Sequence, residues 1–125
     1  MLEDIKVNGE DLFFEYQGKS RNLEELREDH ERRKRKCEAR RERIQERNIR
    51  NRAQMEELVT TWGNCPDSNA LLSDFEESVE EQEWIQRQKE EELQKEGRQI
   101  RMKMEDCDQW YEEERRKLEE ETEWE

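Results

Sequence analysis

The chain has 125 residues, with 37 Asp and Glu against 24 Lys and Arg, so 49% of it is charged and its net charge is -13. Nine Leu, five Ile, three Val and three Phe are the main core formers, a share typical of chains that do not fold around one compact core. That argues against a pocket-bearing enzyme, and no apolar run approaches the ~18 residues that a membrane span requires.

Residues 1–19 read as a small N-terminal β element. Ile5, Lys6 and Val7 lead into Asn8-Gly9, and Leu12, Phe13, Phe14, Glu15 and Tyr16 follow before Gly18. Asn-Gly between β-favouring residues is a hairpin signal, because both tolerate a positive φ. A two-stranded hairpin is marginal alone in water, so this one is expected to dock on the rest of the chain.

Residues 20–62 read as a basic helix. Asn22 followed three residues later by Glu25 has the pattern of a capping box. Steps of seven from Leu23 reach His30, Cys37, Ile44, Asn51 and Leu58, with Met55 and Trp62 alongside. Between positions 27 and 52 there are 12 basic and 6 acidic residues. Residues 63–69 read as a turn, since Gly63 suits a helix C-terminus and Pro66 cannot continue a helix. Asp67, Ser68 or Asn69 is the expected cap of the next helix.

Residues 70–125 read as an acidic helix. Steps of seven from Leu72 reach Val79, Gln86, Leu93, Ile100 and Cys107, and the stripe widens at Met104, Tyr111 and Leu118. Gly97 in this segment reads as a tolerated surface glycine that costs the helix about 1 kcal/mol of propensity. The two ladders match each other antiparallel. Leu58 then faces Leu72, Asn51 faces Val79, Ile44 faces Gln86, Cys37 faces Leu93, His30 faces Ile100 and Leu23 faces Cys107. From position 74 onward 21 acidic residues oppose 9 basic ones, which complements the basic first helix. The expected fold is all-α, a long antiparallel helical hairpin of coiled-coil type with the small N-terminal β-hairpin attached.

Chemistry-bearing motifs are few. The single His30 and the three scattered cysteines have no zinc-finger spacing, and there is no Gly-rich phosphate loop. No carboxylate pair is isolated in an apolar setting, which acid catalysis with a raised pKa requires. The chain is therefore read as non-enzymatic, with no cofactor, no metal and no small-molecule substrate. Glu3, Asp4 and Lys6 interrupt any signal-peptide core near Met1. Free thiols then point to an intracellular protein, cytoplasmic or nuclear.

Arg32, Arg33, Lys34, Arg35 and Lys36, continued by Arg40, Arg41 and Arg43, form a candidate localisation signal or phosphate-contacting patch. With Asn48, Asn51, Arg52 and Ala53 nearby, this run superficially resembles the basic region of leucine-zipper DNA-binding proteins. Their Asn-x-x-Ala-Ala core is missing, however, and Gly63 and Pro66 stop the helix where a zipper would follow. Trp62 is expected to pack near the turn. Trp84, Trp110 and Trp124 are candidate partner anchors, since tryptophan buries a large area with few rotatable bonds.

The functional expectation is a coiled-coil scaffold or adaptor subunit that joins protein partners in a homo- or hetero-oligomer. Its interface residues are Leu23, Ile44, Leu58, Leu72, Val79, Leu93, Ile100, Met104, Tyr111 and Leu118. A nucleic-acid-associated regulator using the basic helix 27–52 is the alternative. A chain that is disordered until it binds is the third reading.

Overall fold

A computed structural model describes residues 9–63 and 65–123, and all of these except Gly63 and Cys65 are helical. Helix α1 is Gly9–Trp62 and helix α2 is Pro66–Glu123, so the chain is an all-α helical hairpin.

The β element expected over residues 1–19 is contradicted. Residues 9–19 are the opening turns of α1, and there is no strand among the described residues. The expected strand at Ile5, Lys6 and Val7 lies outside the described residues. Helix wins from Gly9 onward because Leu12, Tyr16 and Leu23 are spaced by four and seven, one stripe of an α-helix. That stripe has a partner on α2, and Leu12 is only 3% exposed. Glu10 and Asp11 in the first turn favour the positive end of the helix dipole.

The hairpin divides into two compact units, Met1–Glu31 with Lys95–Glu125, and Arg32–Gln94. In the first unit Tyr16 stacks on Tyr111 with ring centroids 4.3 Å apart. Fourteen residues later on α1, His30 lies against Gly97, fourteen residues earlier on α2. The two segments are therefore antiparallel, and Leu12 and Ile100 are the buried apolar residues between them. In the second unit Arg41 meets Glu90 at 3.0 Å and Arg47 reaches Gln82 at 3.4 Å, again with opposite chain directions. Val79 is its buried apolar residue and Gln86 its buried amide.

In the second unit Arg41–Glu90 and Arg47–Gln82 fall within one residue of the ladder-to-ladder register, while other contacts are offset from it. His30 packs on Gly97, three residues from the expected Ile100. The Gln86 side chain reaches the Cys37 carbonyl at 3.1 Å, although Ile44 was its expected opposite number. In a seam of this kind each side chain inserts into the gap between residues of the facing helix, so pairing falls between ladder steps. Gly97 is accordingly a contact position, and the reading of it as a plain surface glycine is corrected.

The turn is built by Gly63, whose φ of 82° is a left-handed conformation suited to a residue without Cβ. Pro66 opens α2, four residues before the expected start, because its missing N–H and fixed φ suit the first helical position. Cys65 then holds the cap position. The Cys65 N–H donates to Ser68 Oγ at 3.2 Å, the return half of a capping box. The Ser68 hydroxyl in turn lies 2.9 Å from the Gly63 carbonyl and 3.0 Å from that of Cys65.

Candidate functional site: a basic groove beside the seam

The run of bases at positions 32–36 is exposed throughout. Five consecutive residues at 3.6 per turn sweep all round a helix, so they cannot form one patch. Arg32 and Arg33 moreover hold interactions of their own. Arg40 and Arg41 diverge: Arg41 pairs with Glu90 across the seam, whereas Arg40 turns towards a groove.

That groove belongs to the second unit and has a volume of about 690 Å³. Arg40, Arg43, Arg47 and Arg50 line it from α1, and Lys89 lines it from α2. Steps of three, four and three put the four arginines on one flank of α1. Glu46 is the one carboxylate in the lining, against five cations. Between them the wall is apolar: Ile44 is half-buried and Ile85 is 42% exposed. Arg47 is held by Gln82, while Arg40, Arg43, Arg50 and Lys89 have no ion-pair partner among the described residues. Gln86 at the back is 6% exposed, and its amide proton satisfies the Cys37 carbonyl.

The sequence reading reaches Arg40 and Arg43 here, and its run of bases stops short of Arg47, Arg50 and Lys89. Their signal was the 3-4-3 spacing of arginines, less conspicuous than the consecutive bases before it.

The other expected interface residues occupy two classes of position. Val79 and Ile100 are buried, and Leu23, Ile44, Leu72, Leu93, Met104, Tyr111 and Leu118 are half-buried along the seam. Leu58 is 42% exposed, because Met55 and Val59, four residues apart, carry the stripe past it. Trp62, expected to pack at the turn, is exposed at 74%. Trp84 is also exposed, and Trp124 lies outside the described residues.

Trp110 is occupied internally: the Lys19 ammonium sits 3.8 Å above its ring centroid, a cation–π contact. Beside it Tyr16 donates its hydroxyl proton to Asp108 at 2.6 Å, and that bond is the main cause of a phenol pKa raised above the usual value. Tyr16 on Tyr111 and Lys19 on Trp110 thus pack the two segments of the first unit together.

Two thiols are tuned in opposite directions. The Cys65 pKa is lowered, mainly by its hydrogen bond with the Ser68 hydroxyl and then by amides at the start of α2. The Cys107 pKa is raised, first by burial and then by the Asp108 charge. All three cysteines are free, and no group of three or more His, Cys, Asp or Glu among the described residues is arranged to hold a metal. No helix among the described residues is long and apolar enough to cross a membrane. No family model, no curated protein and no solved structure matches this chain.

Proposed function

We propose that the protein is a non-enzymatic scaffold or adaptor subunit whose work is to hold other protein chains against its helices. One observation carries this reading. Only three apolar side chains, Leu12, Val79 and Ile100, are buried among the described residues, whereas ten large ones are exposed. Scattered exposed apolar residues are ordinary on a large globular surface. On two helices with so few fully buried residues, they are a large share of the apolar material, beside the half-buried residues of the seam. Burying them against a partner is the main stabilisation still open to the chain, at about 25 cal/mol per Å².

Phe14, Ile49 and Trp84 are prominent among these side chains, at 64%, 68% and 56% exposure. Large aromatic and aliphatic groups of this type dominate the energy of interfaces. Flanking charges, dense on both helices, would choose partner and register rather than supply affinity.

The test is affinity purification of the full chain from the cells that make it, beside a Phe14→Glu/Ile49→Glu/Trp84→Glu variant. The expected result is one or more proteins in stoichiometric amount with the wild type, lost from the variant while its helical circular dichroism is kept. A chain that purifies alone, or a variant that retains every partner, would reject the reading.

A further inference from the structure

We propose that the basic groove of the second unit is a docking site for an acidic amphipathic helix of a partner protein. The proposal rests on the scaffold reading and specifies the chemistry of one partner. Three properties of the groove select that occupant. Its cations are ready to pair: Arg40, Arg43, Arg50 and Lys89 have no carboxylate partner among the described residues. Its wall between them is apolar, with Ile85 42% exposed beside Ile44. Its length fits, because ten residues separate Arg40 from Arg50, or ~15 Å of helix axis at 1.5 Å per residue, about three turns of a docked helix. A helix with apolar residues at i, i+4 and i+7 and carboxylates on both flanks meets all three.

The rival occupants each fail one of these properties. A single small anion cannot engage cations spread over ~15 Å. A nucleic-acid strand would satisfy the cations, but its phosphates offer nothing to Ile44 and Ile85. A second copy of this chain has suitably acidic sequence around Glu76, Glu77, Glu80 and Glu81, but the apolar residues of that stretch are already committed. Val79 is 6% exposed and Phe75 half-buried, so that stretch has no free apolar stripe to dock.

The probe is a fluorescent amphipathic peptide of about four turns, with Leu at i, i+4, i+7 and i+11 and Glu on both flanks. Its companions are the same peptide with every Glu changed to Lys, and a labelled DNA oligonucleotide in single-stranded and duplex form. Binding is read by fluorescence anisotropy on the full chain. The acidic peptide should bind saturably and at least ~10-fold tighter than the Lys peptide, weakening as salt shortens the screening length. Arg43→Glu/Arg50→Glu should weaken it at least ~10-fold, and the neutral Arg43→Gln/Arg50→Gln pair by less. Arg101→Glu/Lys103→Glu, an equal charge change at exposed positions of the first unit, should leave it within ~2-fold, since those sites lie outside the groove. Circular dichroism establishes that each variant keeps its helices, and the Gln pair serves if the Glu pair does not.

Absence of acidic-peptide binding overturns the proposal, and so does equal loss in the Arg101/Lys103 control. DNA binding tighter than the peptide, lost with Arg43 and Arg50, would make the groove a phosphate site instead. A concentration-dependent dimer abolished by the same substitutions would make a second copy the occupant. If the peptide fails while the purified scaffold still brings down its partners, the groove assignment falls and the scaffold reading stands. Failure of both removes the reading itself.

Discussion

The imidazole of His30 lies against the backbone of α2 at Gly97, so close that a Cβ at position 97 would stand 2.9 Å from His30 Cε1. His30 is 7% exposed, and Gly97 is the gap that receives it. An isolated Gly→Ala change in a helix interior gains about 1 kcal/mol of propensity. Here that gain meets a buried ring that must move. Gly97→Ala should therefore lower or leave unchanged the thermal midpoint in the wild type, yet raise it in a His30→Ala background. A double-mutant cycle by thermal unfolding measures the coupling. Equal stabilisation in both backgrounds would show that the ring does not need the gap.

The seam rather than the surface charge should carry the fold. Ile100 is 6% exposed, so Ile100→Asp places a carboxylate where water hardly reaches it. The expected loss is about 2–5 kcal/mol, seen as reduced helicity at 222 nm and loss of partner capture. Glu91 is exposed, and Glu91→Gln should stay within about 0.5 kcal/mol. Equal effects from the two changes would remove the seam as the organising element.

Much of this seam is visible in the sequence. Leu72, Val79, Gln86, Leu93, Ile100 and Cys107 keep a strict spacing of seven, and none of them is exposed. The break is equally visible, since Gly63 and Pro66 stand three residues apart in a chain with one proline. Other features depended on information that spacing alone does not carry. Leu12 to Tyr16 fits an alternating strand and a helical stripe alike, and the choice is made by Tyr111 waiting on α2. Pro66 ends one helix by its chemistry, but the same chemistry lets it begin the next. The antiparallel register is legible, since Arg41–Glu90 and Arg47–Gln82 lie within one residue of the ladder pairing. The offset of His30 to Gly97 is not, because a ladder marks which face is buried and not into which gap each side chain fits. The groove was overlooked because clustered bases in sequence, 32–36, are not clustered bases in space, whereas Arg40, Arg43, Arg47 and Arg50 are.

The Tyr16–Asp108 hydrogen bond gives the first unit an alkaline limit. The phenol pKa in the folded chain is raised above 10.0, chiefly by the bond to the Asp108 carboxylate. The folded state thus holds this proton where the unfolded chain has released it. The resulting stability is complete below the unfolded value and is lost as pH rises through the folded one. Cys107 titrates in the same sense, so the comparison belongs in a Cys107→Ser background. There Tyr16→Phe, which keeps the ring that stacks on Tyr111, should show a shallower fall in thermal midpoint between about pH 9 and 11. Parallel curves for the two proteins would mean that the hydrogen bond does not hold the proton.

The thiols offer the last test, through the cap of α2. A thiolate is the reactive form of cysteine, so alkylation rate against pH reports each thiol's ionisation. Cys65 is lowered from 9.0 by the Ser68 hydroxyl and the amides that open α2, whereas Cys107 is raised from 9.0 by burial. Iodoacetamide followed by peptide mapping should label Cys65 ahead of Cys107 at neutral pH, with half-maximal rates on opposite sides of 9.0. Ser68→Ala removes the largest cause of the Cys65 shift and should move its midpoint upward. The same change removes one of the two acceptors of the Cys65 N–H and leaves the Gly63 carbonyl at 3.0 Å. Its helicity must therefore be matched to the wild type by circular dichroism before rates are compared. Cys107 should be unaffected, because its tuning comes from its own burial and from Asp108. Labelling of Cys107 before Cys65, or a Cys65 midpoint unmoved by Ser68→Ala, would show that Ser68 is a structural cap with no influence on the thiol.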